Sequence, residues 1–565
     1  MERMNWRWNS LPRLAMLPVV IAVTLLSHVT LPHPQVWGQV PNSQTTLGFE
    51  TLATPHVSEA QAALDHGLKL EQNRRWGDAL QFYEQAIKEH PQNPTLEERH
   101  ALVRSHYDVV RRYSDDSYTA TLSNMSEHDA LRIYGEVLDK VQTHYVTEPN
   151  WPLIVKRGTL SFEVALTEEA FVRQHLPTVS AETIAQFRSD FNKVAKDLNP
   201  RNAAQARECA AWAGKAATQR LGLASAAVVL EYTCGAASAL DEYSSFLTAG
   251  QLDEVFSQIE GNFVGLGVEL KSEEAALLVV SVIPGGPAAL GGLVASDRII
   301  AVDGRNLPEL KPDTAADLLR GEEGSTVKLM IRKTDGSEKL LTMTRQRIEV
   351  PCVEGTKILD AEQGIGYFKL TSFQKSTSRD VDAALWKLQR EGMKSLVMDL
   401  RGNPGGLLNA AVELADKFIF DGPIVTTRGR NPREDYSYTA HTVGTWRVPL
   451  VVLIDGDSAS ASEIFAGAIR DRRRGMIVGQ RSYGKGSVQG IFPLASSKAG
   501  IRLTTAKFFS PSGQAISRQG VTPDVVVRAA ARPITDDGRG GLLAPEEDII
   551  LKAGLQTARD QLSKR

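Results

Sequence analysis

A chain of 565 residues has room for roughly three to four domains, and its 42% hydrophobic content lets each of them build its own core. A formal charge of −3, from 64 lysines and arginines against 67 aspartates and glutamates, excludes the strongly basic balance of a nucleic-acid binder. Cys209, Cys234 and Cys352 make an odd count without Cys-x-x-Cys spacing, which argues against a metal site; Cys209 and Cys234 are left as small buried thiols or, in an oxidising compartment, as one disulfide between helices.

Residues 1–38 read as an export signal or anchor: Arg3, Arg7 and Arg13 precede the apolar run Leu14–Leu26, and Gly38 offers a small residue at a cleavage point. Uncleaved, residues 14–31 would anchor the chain to a membrane, although Ser27 and His28 interrupt the run. The expected location is a bacterial periplasm or cell envelope, with a thylakoid lumen as the alternative. Residues 39–55 are polar and read as linker. Across 56–125 the pattern turns helical, with Ala63, Gly67, Trp76, Ala79, Leu80, Tyr83, Ala86, Ile87 and Pro91 at the spacing of one tetratricopeptide repeat. Such a unit cannot bury its own apolar face, so it packs on the next helix, Leu96–Tyr113, or on a partner such as an adaptor protein. A plain helical hairpin is the competing reading. The helical region 126–255 follows, with helices expected over His128–Tyr145 and Ala203–Leu240 and breaks at Pro149, Pro152, Pro177 and Pro200.

Over 256–345 short strands and glycine turns replace the helices. Phe263 to Leu270, the Val282–Ala288 run, Asp297 to Gly304 and a helix over Thr314–Leu319 together resemble a PDZ domain. The resemblance implies that an extended peptide adds as a strand, with its terminal carboxylate held by backbone N–H groups of Gly265, Leu266 and Gly267. Ala295-Ser296-Asp297 departs from the Gly-Asp turn usual there. From 346 to 530 strands and helices alternate as in an α/β core: strand Gly364–Leu370, helix Ser378–Leu388, strand Ser395–Leu400, helix Leu407–Phe418, strand Val448–Ile454 and helix Glu463–Arg470. The basic cluster Arg470–Arg474 falls at a helix end, where it would satisfy the negative terminus. Residues 531–565 form a C-terminal linker and helix. The fold class is thus multidomain α/β: a helical N-terminal region with one tetratricopeptide-like repeat, a PDZ-like domain and an α/β core.

The chemistry concentrates at two short segments. Ser458 to Glu463 reads Ser-Ala-Ser-Ala-Ser-Glu, Tyr483 to Gly486 brings Lys485, and after His175 the one remaining histidine is His441. A serine with a lysine base is therefore expected rather than a Ser-His-Asp triad. Ser460 would stand at a strand-to-helix turn, where free N–H groups and partial positive charge favour an oxyanion. Lys485 accepts a proton only when neutral, so burial must bring its pKa from about 10.4 to about 7 or 8.

These segments, with Asp399 to Gly406, Leu240 to Phe246, Gln489, Ser510 to Gly513 and Gly520 to Asp524, resemble the carboxyl-terminal processing proteases over about residues 236–530. The resemblance implies that Ser460 is the nucleophile, Lys485 the general base and Gln489 the residue that orients the lysine. The N–H groups of Gly406 and Ala461 then form the oxyanion hole, and Asp471 falls where some members carry an assisting acid. It implies an exported serine endopeptidase that cleaves proteins at or near their C-terminal tails, with no metal or organic cofactor. Two rivals stand beside it. Ser482-x-x-Lys485 satisfies the pattern of penicillin-recognising acylases, but glycines flank this lysine and neither Ser-Asp-Asn nor Lys-Thr-Gly occurs. A non-catalytic PDZ and repeat scaffold would bind protein C-termini without cutting them.

Overall fold

The computed structural model of this chain describes residues 19–22, 59–123, 125–273, 276–307, 318–319, 321–441, 445–528 and 548–564. The expectations for most of the Leu14–Leu26 run and the 14–31 anchor, for the cleavage point, the 39–55 linker, most of the helix Thr314–Leu319 and the linker within 531–565 lie outside these residues. Among the described residues no helix is long and apolar enough to cross a membrane.

Helices Glu59–Gln72, Trp76–Glu89 and Pro94–Tyr113 form a small unit with its own core of Ala79, Tyr83, Ala86, Leu96 and Val103. Tyr83 lies on Gly67, where a Cβ would come within 2.3 Å of the ring, so the first two helices approach as closely as a glycine permits. Further helices at Glu127–His144, Trp151–Ala165, Ala203–Leu221 and Ser225–Ser238 share a second core, and the last is buried from Ser225 to Ala237. The single helix expected over Ala203–Leu240 is two, because Gly222 takes φ 67° and ends the first. Pro152 does not break a helix. It sits in the first turn of Trp151–Ala165, where its missing N–H removes no intrahelical bond. Cys209, Cys234 and Cys352 are free thiols, so the disulfide alternative falls away; burial pushes the Cys352 thiol up to about 11.

The PDZ-like module is a sheet of Val268–Glu273, Ala276–Val282, Arg298–Val302, Thr326–Arg332 and Glu338–Thr344. Chain entry and exit pair with each other: Asn262–Gly265 runs antiparallel to Gln346–Glu349, a two-stranded stalk carrying the module. At the turn that lacks the usual glycine, Ser296 itself takes φ 75°, and the buried Asp297 accepts from the Val294 N–H and the Lys333 ammonium. The turn therefore forms without Gly.

The catalytic-type core has two sheets. Val353–Asp360, Ile365–Leu370, Ser395–Asp399, Leu450–Ile454, Met476–Gly479 and Val525–Val526 lie side by side, parallel after the first pair. Ser395–Asp399 and Leu450–Ile454 are buried at every position, as central parallel strands covered on both faces must be. Helix Thr377–Arg390 covers one face with Val381, Ala384, Leu385 and Leu388 at helical spacing, and Ile549–Ser563 covers the other, Gly554 lying against Leu453. The second sheet contains Ser487–Pro493, Gly500–Phe509, Pro423–Gly429, Tyr436–Thr439, Gly406–Leu407 and Ser245–Leu247. In it the extended stretch Val19–Ala22 lies between Gly406–Leu407 and Gln489–Ile491.

Candidate active site

The fully buried strand Leu450–Ile454 delivers the chain to a tight turn, and Ser460 caps helix Ala461–Asp471 with φ 56° and ψ −111°. A non-glycine residue there stores about 1–3 kcal/mol of backbone strain, which its surroundings must hold. They do so on both sides. The Ser458 hydroxyl donates to the Leu400 carbonyl at 2.9 Å, the Ser462 hydroxyl to the Asn403 carbonyl at 3.0 Å, and the Ala459 N–H also donates to Asn403. The flanking serines thus fasten the turn to the loop after Asp399.

Glu463, fully buried, ties this turn to the lysine segment. Its Oε2 accepts from the Ser460 N–H at 2.8 Å and from the Lys485 N–H at 2.9 Å; its Oε1 accepts from the Gly484 N–H at 2.7 Å and the Ser482 hydroxyl at 2.6 Å. One carboxylate oxygen is shared by the two backbones that carry Ser460 and Lys485, so it sets their separation. Burial raises the Glu463 pKa, opposed by these four donors.

Lys485 is 1% exposed, and its Nζ lies 4.9 Å from the centre of the Tyr243 ring. Burial above all, then the charge of Arg502, pushes its pKa down to about 7 against the opposing pull of Glu463, Asp241 and Glu242. The flanking glycines are sterically required: Gly484 has φ 94°, and a Cβ on Gly486 would stand 2.1 Å from the Ser517 nitrogen. Gln489 is fully buried on the following strand and donates to Ser487 Oγ at 2.9 Å and Thr504 Oγ1 at 3.3 Å.

The glycine loop reaches the same place. A Cβ on Gly405 would lie 2.8 Å from the Ser460 Cβ and 3.0 Å from the Ala461 nitrogen, so the loop rests directly on the helix start. Gly406 has φ 141° and is followed by Leu407, whose N–H donates to the Phe373 carbonyl at 2.7 Å. The Ser460 turn, the start of the helix at Ala461, the Gly405–Gly406 loop and the Lys485 backbone are thus held against one another, and Gln489 stands on the strand that follows Lys485. Asp471 does not join them. It ends the helix that Ser460 begins, about 16 Å along the axis at the usual rise, and its carboxylate accepts from the Ser512 N–H at 3.0 Å. Helical spacing separates the two, and the acid closes the Ser510–Gly513 turn instead. The Arg474 side chain donates to the carbonyls of Phe418, Trp446 and Val448, joining neighbouring segments, while its backbone N–H donates to the Ile469 carbonyl in the last turn of the helix. Gly265, Leu266 and Gly267 lie where the stalk enters the PDZ-like sheet; Leu266 is buried, and its carbonyl accepts from the Ala288 N–H. Ser482, the serine of the acylase pattern, is committed to Glu463 and to the Val521 N–H.

Sequence reasoning assigned no role to Glu463 or Tyr243. For Glu463 the signal was present, since Ser460-x-x-Glu463 is the capping-box spacing. Nothing local marks Tyr243 as a neighbour of Lys485.

Residues 364–527 match the family model described as Peptidase family S41, and residues 278–333 match that of a PDZ domain. The carboxy-terminal-processing protease of Bartonella bacilliformis is 39% identical over 307 residues, 53% of this chain and 69% of that protein. The carboxyl-terminal-processing protease of Picosynechococcus sp. is 36% identical over 293 residues, 51% of this chain and 70% of that one. Among solved structures, a photosystem II D1 C-terminal processing protease aligns over 72% of this chain and 95% of its own at 25% identity, with a TM-score of 0.37. With more than two thirds of such relatives spanned at this identity, the chain belongs to peptidase family S41, with the carboxyl-terminal-processing proteases.

Proposed function

We propose that the chain is a serine endopeptidase that cleaves proteins at or near their C-terminal tails, with Ser460 as nucleophile and Lys485 as general base. The observation that carries this reading is a buried lysine with a pKa of about 7, whose backbone shares one Glu463 carboxylate oxygen with the backbone of a strained serine at a helix start. Neutral Lys485 takes the Ser460 proton as the hydroxyl attacks the peptide carbonyl. The N–H groups of Ala461 and Gly406 meet the developing oxyanion, and the protonated amine of Lys485 gives its proton to the peptide nitrogen as the C–N bond breaks and the amine leaves. Water then hydrolyses the acyl-enzyme with Lys485 again as base. Gln489, anchored through Ser487 and Thr504, is read as the residue that orients the lysine. Val19–Ala22, seated between Gly406–Leu407 and Gln489–Ile491, illustrates how an extended polypeptide crosses this site by adding a strand.

The pH dependence has a definite sign. Activity requires the neutral amine, so kcat/KM climbs about tenfold per pH unit below about pH 7 and levels above it. Rate profiles on an unfolded protein substrate test this, and a flat profile between about pH 5 and 9 removes lysine as the base.

The PDZ domain is read as the tail receptor, with the carboxylate at the N–H groups of Gly265, Leu266 and Gly267. Amidating a substrate's C-terminus would then weaken binding roughly ten- to a hundredfold through lost charge-assisted hydrogen bonds. Equal binding and equal cleavage of amidated and free-acid tails would reduce this loop to a spacer. Because the domain hangs on the stalk of Asn262–Gly265 and Gln346–Glu349, occupancy there can bias its position relative to the core. The helical unit at 56–125 is read as a tetratricopeptide-like dock for an adaptor, supported by the Gly67–Tyr83 packing. Export to a periplasm or cell envelope is inferred from residues 1–38, and fractionation of cells with a tag at the C-terminus tests it.

A further inference from the structure

The Gly405–Gly406 peptide carries an N–H proposed as an oxyanion donor, and its own residues do little to aim it. Gly405 has φ 106° and Gly406 φ 141°, in the region that favours glycine, so a turn of the peptide plane between them meets no side chain of their own. Its orientation is set from outside. The Phe373 N–H donates to the Gly405 carbonyl at 2.8 Å, and the Phe373 carbonyl accepts from the Leu407 N–H at 2.7 Å, so one residue brackets the stretch on both sides of Gly406. A trans peptide directs its C=O and its N–H oppositely. With the Gly405 carbonyl fixed on Phe373, the Gly406 N–H points away from that edge, in a loop that rests on Ser460 and Ala461.

Phe373 is held in turn by the residue that follows it. Gln374, 5% exposed, donates from Nε2 to the Val350 carbonyl at 2.7 Å, and its amide packs on Gly261, where a Cβ would come within 2.6 Å of it. The Val350 N–H donates to the Gly261 carbonyl at 2.8 Å. Gly261 and Val350 stand just outside the two stalk strands, Asn262–Gly265 and Gln346–Glu349, so the amide grips the base of the stalk. The Lys375 N–H adds a 3.0 Å bond to the Ile259 carbonyl, and the Lys375 ammonium pairs with Glu260. The start of helix Thr377–Arg390 does not need the Gln374 amide for its bond to Thr377 Oγ1, because the donor there is the Gln374 backbone N–H, which any residue but proline supplies. The other contacts of the amide, with the hydroxyls of Ser372 and Ser376, are local. Its bond to Val350 is the one that reaches another part of the fold.

We propose that Gln374 is a positioning residue for the reaction: its amide, bonded to Val350 at the base of the stalk, holds the Phe373 backbone that turns the Gly406 N–H toward the oxyanion. The inference rests on the reading of Gly406 as an oxyanion donor. It is tested with Gln374→Ala and with Gln374→Met, which keeps the length of the side chain and loses its donor. Both should lower kcat on an unfolded protein substrate roughly tenfold with KM unchanged, short of the roughly hundred- to thousandfold cost of losing an oxyanion donor outright. Both should weaken by the same factor a peptidyl boronate, whose tetrahedral adduct on Ser460 places a boron-bound oxygen where the oxyanion forms. NMR of protein carrying 13C′- and 15N-glycine follows the Gly405–Gly406 peptide directly, as the Gly-Gly signal lost in Gly406→Ala. In the parent the boronate should move the Gly406 N–H downfield, and in both variants that movement should shrink. If the parent signal does not move, Gly406 is no oxyanion donor and the role of Gln374 falls with it. If the parent signal moves and the variants follow it equally, or melt lower with kcat and boronate affinity intact, the proposal is overturned and Gln374 is a structural residue. A Gln374→Met protein with parent rates overturns it as well, since packing without the donor then suffices. Should Gln374→Ala not fold, Gln374→Met carries the same measurements.

Discussion

Ser460→Ala and Lys485→Ala each lower the hydrolysis of an unfolded, apolar-tailed protein by roughly four orders of magnitude or more, because neither group has a substitute within the site. The double variant is no worse than either single one, since the two act as a unit. The fold survives both. Ser460 Cβ already stands in for an alanine, and Lys485→Ala removes a buried amine whose protonated form the folded protein disfavours. The linkage sign follows from the folded pKa of about 7 against an ordinary 10.5. Between these values the unfolded chain binds the proton and the folded chain does not, so stability rises with pH across that window, and the burden is full below about pH 7. Lys485→Met therefore melts higher than the parent at pH 6 while being inactive. Hydrolysis by purified Ser460→Ala at a rate near the parent's would end the assignment. Ser482→Ala serves as the control: it loses the hydrogen bond to Glu463 and the one accepted from the Val521 N–H and keeps measurable activity, whereas the acylase pattern requires it to be dead.

Glu463→Ala has the second largest effect, through a carboxylate that is fully buried. Its carboxylate accepts from three backbone N–H groups and one hydroxyl, and removal leaves buried donors unsatisfied and frees the strained Ser460 turn from the Lys485 segment. We expect kcat to fall about a hundred- to a thousandfold and the fold to lose about 3–5 kcal/mol. Glu463→Gln separates the two effects. One amide oxygen still accepts, but the NH2 group confronts N–H donors, so the variant folds with reduced stability and keeps the kcat defect. Urea denaturation together with single-turnover acylation measures both quantities; full acylation in folded E463Q would show that the shared carboxylate does not set the Ser460–Lys485 geometry.

A structural companion to these variants is Gly406→Ala. A Cβ there would meet the Phe373 carbonyl oxygen at 1.9 Å, a backbone atom that cannot step aside. The substitution should displace the loop from Phe373, costing activity and melting temperature together, whereas alanine at the open Gly456, where no atom lies within 4 Å, should be silent on both.

Much of this protein was legible along the chain, and the reason is that its most informative features are local. Apolar runs and glycine turns marked the core strands, and the helix over Thr377–Arg390 announced itself by spacing alone. The scarcity of histidine, with a serine at a strand-to-helix turn and a lysine between two glycines, pointed to a Ser-Lys site because each condition is met within a few residues. Local signals also misled where distance matters. Asp471 is near Ser460 in sequence, but a helix carries it to the far end, and the break at Gly222 depended on one backbone angle. Only the tertiary structure decided what surrounds the amine: the Tyr243 ring comes from the segment after helix Ser225–Ser238, more than two hundred residues before Lys485. A lysine pKa is set by desolvation and by the charges that packing brings within a few ångströms, so it belongs to the folded protein and to no stretch of its sequence.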